Sequence, residues 1–219
     1  MPILRGRLAG ARWLPAAGGK TLRVLLGTYE PEQTALFEEL TASDNTVFDV
    51  GAHVGYYTLL ASALAGPDGR VTAFEPDADN LFFLRAHLEL NRRSNVTVIE
   101  SAVGERSGQA LFAAGTGSGT GRLAAAGEVS VPVTGLDEFI AAGGGIPDIV
   151  KIDVEGAEEM VLRGARQLLA GRGPTLFLST HGREIHRECC RLLAAQGYRL
   201  EPIVGGSVET ATELLCRRG

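Results

Sequence analysis

The chain has 219 residues, of which 45% are hydrophobic and 21% are charged, and it carries a formal net charge of −5 at pH 7. This length and composition favour one globular domain with a sizeable core. The acidic balance excludes the basic surface that DNA- and RNA-binding domains use, so we expect no nucleic-acid partner.

The cysteines and the N-terminus indicate the compartment. Cys189, Cys190 and Cys216 are odd in number and have no metal-ligand spacing, which is typical of a reducing compartment. Residues 1–20 lack the apolar core of a signal peptide, and no stretch is long and apolar enough to span a membrane. We therefore expect a soluble, cytoplasmic protein with no membrane partner.

Residues 1–45 precede the first expected core strand, and we interpret them as an N-terminal cap that ends in a helix near residues 32–40. From residue 46 onward, short apolar runs alternate with longer amphipathic segments. This alternation predicts one α/β unit over residues 46–219, with a mostly parallel sheet covered on both faces. The predicted strands lie at 46–50, 71–75, 96–99, 149–153, 175–178, 198–204 and 210–216, and the predicted helices at 56–64, 80–92, 158–169 and 184–196.

Residues 104–135 fall outside this alternation because they contain a glycine- and alanine-rich stretch at 113–127. We interpret the segment as a hairpin or a mobile loop inserted between strands of the sheet. The glycines within residues 115–121 resemble a phosphate-binding loop, but no strong strand precedes them and no lysine follows. We therefore predict a flexible loop there, with a lid over the substrate as the functional alternative.

The segment after the first strand has the layout of a nucleotide-cofactor site, with Asp49, Gly51, Ala52, His53 and Gly55 between that strand and a helix. Glycine lets the backbone approach a ligand closely. A dinucleotide would place its pyrophosphate at the helix N-terminus, where the carboxylate of Asp49 would repel it. S-adenosylmethionine has no phosphate and carries a sulfonium and an ammonium group, which a carboxylate attracts. The loop therefore predicts S-adenosylmethionine as cofactor, with helix capping as the structural alternative for Asp49.

Residues at the ends of the next two strands extend this site. Glu75, followed by Pro76, comes 26 positions after Asp49 in the sequence, a spacing that suits a carboxylate accepting both ribose hydroxyls. Helix capping or loop closure is the structural alternative for Glu75. Ser101 and Ala102 follow the third strand and are candidates for the adenine edge, although serine is also common at strand ends. His53 either faces the carboxylate of the cofactor or caps the turn.

Acidic and histidine side chains follow the fourth and fifth core strands, at the sheet edge where ligands of α/β proteins bind. Asp153 and Glu155 are two positions apart and share one side of an extended segment. One of them could accept a proton from a substrate hydroxyl while the other holds Lys151, a metal ion or the substrate, and His181, beside Asp153, could act as a general base. We predict that all three are catalytic and that Asp153 also contacts the cofactor. The structural alternatives are a hydrogen-bonded turn histidine and, for Glu155, Glu158 and Glu159, acids that stabilise a helix N-terminus.

Two further expectations concern metal and histidine. A single divalent ion held by Asp153 with Glu155 or His181 is compatible with the sequence but not required by it. No histidine–cysteine cluster suits zinc. His186 is expected on the surface of a helix.

Three stretches of the chain together resemble FkbM-type methyltransferases: residues 49–55, 74–76 and 147–158. The likeness covers about residues 27–200, and its most specific part is the run from Lys151 to Glu158. It implies a class I methyltransferase fold, a Rossmann-like three-layer sandwich whose seven-stranded sheet is mostly parallel with an antiparallel last strand. It also implies methyl transfer to oxygen, often on a sugar or polyketide hydroxyl, and it places Tyr29 and Glu30 at the methionine side of the cofactor.

The chain departs from the family pattern at two positions. His53 stands where many relatives have asparagine, which changes the group that would meet the cofactor carboxylate. Relatives commonly carry a glutamate near the position of Ser179, before the histidine. This chain has none there, so an acidic group is missing at the end of the fifth strand.

These residues favour an enzyme that transfers a methyl group in line from a sulfonium to the hydroxyl of a small-molecule acceptor. An NAD-dependent oxidoreductase and a non-catalytic nucleoside-binding or interaction protein are the alternatives. The acceptor is not specified by the sequence, and a homodimer is compatible with it.

Overall fold

The computed structural model describes residues 1–17, 19–113, 122–123 and 129–219. Its strands are β1 (Thr46–Val50), β2 (Arg70–Phe74), β3 (Val96–Ile99), β4 (Ala102–Gly104), β5 (Gly108–Ala113), β6 (Arg122–Leu123), β7 (Val129–Gly135), β8 (Ile149–Ile152), β9 (Thr175–Ser179), β10 (Tyr198–Pro202) and β11 (Glu213–Arg218). Its helices are α1 (Thr21–Leu26), α2 (Pro31–Leu40), α3 (Tyr56–Ala65), α4 (Ala78–Leu90), α5 (Leu136–Ala141), α6 (Glu158–Arg163), α7 (Arg166–Ala170) and α8 (Arg183–Ala195).

The central sheet has seven strands in the order β10-β11-β9-β8-β1-β2-β3. The pairs from β9 across to β3 are parallel, whereas β11 runs antiparallel to both of its neighbours, β9 and β10. The predicted seven-stranded sheet with an antiparallel last strand is confirmed. The chain builds from β1 outward to β3 and returns on the other side of β1 through β8, and such a reversal opens a crevice at the carboxyl ends of the strands.

Apolar side chains from successive strand residues cover the two faces of the sheet, because neighbouring residues of a strand point in opposite directions. Val47 packs in one cluster with Leu59 of α3. Phe48 packs in the other with Leu162 of α6. Helices on both faces give the predicted three-layer α/β sandwich.

The N-terminal cap, residues 1–45, shares the first of these clusters. Trp13 and Phe37 are buried in the same group as Leu59 of the sheet-covering helix. The helix expected near residues 32–40 is α2. The division into a cap and a domain starting at residue 46 stays a prediction.

Residues 104–135 contribute to a second, four-stranded sheet in the order β4-β7-β5-β6. The two strands of the predicted hairpin are present, because β5 pairs antiparallel with β7. The flexible loop or lid predicted within residues 113–127 lies outside the described residues, except for residues 113, 122 and 123.

The helix predicted over residues 158–169 is two helices, α6 and α7. Gly164 separates them, and a Cβ atom there would lie 2.1 Å from the carbonyl oxygen of Gly104. The backbone at Gly164 therefore approaches the second sheet closely, which periodicity alone does not reveal. None of the helices in the described part of the chain is long and apolar enough to cross a bilayer.

Candidate active site

A cavity opens at the edge of the central sheet where β1, β2 and β8 end. The N-terminal cap closes part of it with Trp13, Lys20 and Tyr29. Strand ends and cap therefore form one candidate site, at the edge where α/β proteins bind ligands.

The loop after β1 approaches the loop after β8 without room for a side chain. Gly51 has a φ of 83°, and a Cβ atom there would lie 1.9 Å from the carbonyl oxygen of Asp153. The N–H groups of Gly51 and Ala52 both donate to the carbonyl of Phe74 at 3.0 Å, which ties the loop to the end of β2. Gly51 and Ala52 line the cavity, so the cofactor contacts predicted for them are sterically accessible.

Gly55 packs against a neighbouring helix, and its predicted cofactor contact stays a prediction. It lies outside the cavity wall, and its φ is 94°. A Cβ atom at this position would lie 2.5 Å from Cδ1 of Leu84 in α4. The absence of a side chain at Gly55 thus lets the loop pack on α4.

Glu75 is fixed just beyond β2 by three donors. Its Oε2 accepts the N–H of His53 at 2.7 Å, and its Oε1 accepts the N–H of Asp77 at 3.0 Å and the amide of Asn80 at 3.2 Å. Burial raises the pKa of Glu75, and the hydrogen bonds oppose that rise. Glu75 and Pro76 line the cavity, so the carboxylate is held in one orientation where the sequence predicts a ribose contact.

A row of buried charges crosses β1 and β8. Asp49 and Lys151 are register partners on these strands, and Lys151 Nζ donates to Asp153 Oδ2 at 3.3 Å. Burial alone lowers the pKa of Lys151, but the carboxylates of Asp153 and Asp49 outweigh it and the net shift is upward. Burial alone raises the pKa of Asp153, yet Lys151 and then His181 bring it below its usual value.

Three buried polar atoms of residues in the cavity wall have no hydrogen-bond partner within the described residues: Nε1 of Trp13, Oδ1 of Asp49 and Nε2 of His53. The other oxygen of Asp49 accepts the hydroxyl of Thr58 at 2.6 Å. Burial raises the pKa of Asp49, which Lys151 partly offsets, and burial lowers the pKa of His53. An unpaired buried polar atom costs about 1–3 kcal/mol. The cavity is therefore suited to a polar ligand that would pair with these atoms.

An aromatic and acidic cluster lies where the cap meets the sheet. The Tyr57 hydroxyl donates to Glu30 Oε2 at 3.0 Å, and Gln33 donates to both of these groups. Burial, followed by the charge of Glu30, raises the pKa of Tyr57 and of Tyr29, so both hydroxyls stay protonated. Tyr29 lines the cavity as predicted, whereas Glu30 stands outside its wall.

Ser101 and Ala102 line the cavity beyond β3. The Ser101 hydroxyl forms a hydrogen bond of 2.7 Å with the hydroxyl of Thr134 on β7. This bond links the two sheets, and the predicted adenine contact stays a prediction.

The three residues predicted to be catalytic lie together. His181 Nε2 is 3.5 Å from Glu155 Oε2 and 3.8 Å from Asp153 Oδ1, while Nδ1 is 2.8 Å from Glu158 Oε1. Asp153 and Glu155 line the cavity, and His181 lies beside them, outside its wall. The hydrogen bond to Glu158 raises the pKa of His181, with smaller contributions from the charges of Glu158, Asp153 and Glu155.

The same three residues are the one group among the described side chains whose candidate ligand atoms all lie within 4.8 Å of one another. Such spacing is compatible with a shared divalent ion and equally with the direct contacts given above. A divalent ion at this position is therefore compatible with the structure, as it is with the sequence, and neither requires it.

Several residues of the site were not predicted from the sequence, and one histidine lies elsewhere than predicted. Trp13, Tyr57 and Asn80 line the cavity but belong to no motif. His186, expected on a helix surface, is only 9% exposed. The prediction was wrong because α8 turns this side chain inward, where Nδ1 contacts the Thr180 hydroxyl at 2.9 Å and Nε2 contacts the Val208 carbonyl at 2.6 Å.

The family model of the methyltransferase FkbM domain matches residues 49–200. This range includes the ends of β1, β2 and β8 that line the cavity. The chain belongs to this family. The hexuronic acid methyltransferase AglP of Haloferax volcanii is 30% identical over 145 residues, which make up 64% of this chain and 58% of that protein.

Solved structures show the same fold. Methyltransferase FkbM from Methylobacillus flagellatus superposes with a TM-score of 0.57 at 18% identity, over 94% of this chain and 56% of that one. A SAM-dependent O-methyltransferase from Thermotoga maritima has a TM-score of 0.54 at 11% identity, over 86% of this chain and 65% of that one. The chain thus has the class I methyltransferase fold, and it spans rather more than half the length of AglP and of the Methylobacillus protein.

Proposed function

We propose that the protein is an S-adenosylmethionine-dependent methyltransferase that methylates a hydroxyl oxygen of a small molecule, such as a sugar or polyketide. The observation that carries the proposal is the cavity at the switch point of an FkbM-family sheet, where Asp49, Glu75 and Asp153 present carboxylates. Such a wall attracts a cationic nucleoside and disfavours the pyrophosphate of a dinucleotide.

The residues present fit S-adenosylmethionine. Glu75 would hold the ribose, while Ser101 and Ala102 would border the adenine. Asp49 and His53, whose buried atoms lack partners within the described residues, would pair with the polar methionine end. When bound, S-adenosylmethionine supplies a methyl group already activated by a positively charged sulfur.

The chain's own residues then orient the acceptor and manage its proton. Lys151 holds Asp153, and Asp153 with Glu155 forms the polar rim that an acceptor hydroxyl would meet. His181 Nε2 faces this rim and would accept the hydroxyl proton as a general base. Because the contact with Glu158 raises the pKa of His181, we expect the base form to increase as pH rises through that raised pKa.

The direct test is transfer of a labelled methyl group from S-adenosylmethionine to a panel of sugars and polyketides. Uronic-acid-containing sugars come first because of the relative AglP. Calorimetry with S-adenosylhomocysteine and with NADH is the companion measurement. We expect binding of the first and not of the second, and the opposite result would overturn the proposal.

His181→Ala separates the base from the cofactor site. We expect turnover to fall by roughly 10²–10⁴, the usual contribution of a general base, with unchanged affinity for S-adenosylhomocysteine. Unaffected turnover would remove His181 from the base role.

A further inference from the structure

Glu158 is a fully buried acid at the start of α6. Its side chain has 0% exposure, although the pattern of acids at a helix N-terminus suggests a surface role. Its Oε1 accepts the N–H of Gly156 at 3.0 Å and lies 2.8 Å from Nδ1 of His181. Its Oε2 is buried and has no partner in the part of the chain that the structure describes.

The neighbouring acid shows what an ordinary helix-start glutamate does here. Glu159 is one third exposed and pairs with Arg163 four residues later on the same helix. Such pairs contribute a few tenths of a kcal/mol and need no burial. A buried carboxylate is far more costly unless it is compensated, and the side chain that meets Glu158 is His181. Stabilising the helix N-terminus therefore does not account for the placement of Glu158.

The contact favours the neutral form of His181 that carries its proton on Nδ1. A carboxylate oxygen accepts hydrogen bonds, so Nδ1–H would donate to Oε1 of Glu158. Nε2 then carries the lone pair, and Nε2 is the nitrogen that faces Glu155 at 3.5 Å and Asp153 at 3.8 Å. The lone pair is thus directed toward the acidic rim of the cavity.

We propose that Glu158 is a positioning residue, whose buried carboxylate holds Nδ1 of His181 and directs Nε2 toward the acceptor end of the cavity. The inference rests on the proposed methyltransferase function, in which His181 takes the acceptor proton. Glu158 does not contact the reacting atoms; it acts through the histidine.

The charge of Glu158 also affects the pH range in which His181 can accept a proton. The groups that face His181 are Glu158 from α6 and Asp153 and Glu155 from the loop after β8, and all three favour its charged form. Removing the charge at Glu158 alone should lower the pKa of His181, and the two rim carboxylates should keep part of the upward shift.

The test is nitrogen-15 NMR of histidine-labelled protein bound to S-adenosylhomocysteine, with a chelator present. The spectra report both the pKa and the tautomer of each ring, and a His181→Gln sample assigns the signal among the chain's 4 histidines. In the unmodified protein we expect His181 to titrate above 6.5 and its neutral form to carry the proton on Nδ1. In Glu158→Gln we expect the pKa to fall by about one unit or more and the Nδ1–H form to lose its predominance.

Glu159→Gln is the matched control, because it removes the neighbouring charge from the same helix and should leave the His181 signals unchanged. A Glu158→Gln protein with an unaltered His181 pKa and tautomer would overturn the proposal. If that variant does not fold, the unmodified protein decides, since a neutral His181 protonated on Nε2 contradicts the assigned contact. Calorimetry on the same samples separates the two ideas: absent binding of S-adenosylhomocysteine rejects the proposed function, whereas normal binding with an unresponsive His181 rejects only the role of Glu158.

Discussion

Gly51 packs so closely against Asp153 that a Cβ atom at position 51 would lie 1.9 Å from the Asp153 carbonyl oxygen. The two residues belong to the loops after β1 and β8, which are adjacent strands of the sheet. Their contact joins the cofactor loop to the acidic rim. The position of the Asp153 carboxylate therefore depends on a glycine, Gly51, in the loop after the neighbouring strand.

Gly51→Ala should separate these loops. The new methyl group must displace the backbone at Asp153, and the φ of 83° adds strain, so we expect loss of S-adenosylhomocysteine binding in calorimetry and a loss of stability of several kcal/mol. Gly143→Ala is the control, because that glycine has a φ of 96° but no atom within 4 Å of the added Cβ. It should cost only about 1 kcal/mol. Equal effects of the two changes would show that the contact with Asp153 is unimportant.

Glu75→Gln should weaken cofactor binding with little effect on the rest of the fold. The change keeps the size of the side chain but removes the charge that would accept the ribose hydroxyls, a loss of about 1.5–3 kcal/mol, or roughly 10- to 150-fold in affinity. Calorimetry with S-adenosylhomocysteine measures it. Glu100→Gln is the control, because Glu100 is an exposed acid just beyond β3 that pairs with Arg85. This variant should bind S-adenosylhomocysteine normally. Unchanged affinity in Glu75→Gln would exclude the ribose role.

The positions that sequence reasoning located correctly share a local signature. Asp49 and Glu75 each follow a run of apolar residues in a strand, and parallel strands bring such ends to one edge whatever the loops do. The alternation of strand and helix likewise indicates a mostly parallel sheet. Local pattern was therefore sufficient for that sheet and for the carboxylates along its edge, whereas the seven strands and the antiparallel last strand were expected from the family resemblance.

The positions that it missed depend on contacts between distant parts of the chain. Trp13 reaches the cavity only because the cap folds over the sheet, and a side chain at Gly164 is excluded only because Gly104 lies against it. Glu158 looks like any acid in the first turn of a helix, and its burial against His181 becomes visible only when α6 meets the end of β9. No periodicity within one segment encodes such pairings.

Trp13 should report cofactor binding directly. It is the single tryptophan of the chain, it is 1% exposed, and it lines the cavity while stacking on His87 at 3.9 Å. We expect its emission to change in intensity or wavelength as S-adenosylhomocysteine is added, with the midpoint given by calorimetry. Trp13→Phe should bind the ligand without the optical signal. Binding by calorimetry with no change in emission would show that the ligand does not reach this wall.

Acid should destabilise the protein through the buried histidine under Trp13. His87 is fully buried. Its Nδ1 lies 2.7 Å from the carbonyl of Val54 in the cofactor loop, and its Nε2 accepts the N–H of Leu14 in the cap at 3.0 Å. The ring therefore joins cap and loop only when it is neutral, with the proton on Nδ1. Burial lowers the pKa of His87 in the folded protein.

A lowered pKa means that the unfolded chain binds more protons, so folding stability contributed by His87 falls as pH drops below about 6.5. We expect a loss of up to about 1.4 kcal/mol per pH unit until the folded pKa is reached. His181, with a raised pKa, changes stability in the opposite direction as pH falls. The comparison is therefore between the unmodified protein and His87→Gln, in urea unfolding at several pH values from 5 to 7.5. The variant should be less stable at pH 7.5, and its stability should fall less as the pH is lowered. Parallel curves of unfolding free energy against pH for the two proteins would contradict the role of a neutral His87 in holding the cap to the loop.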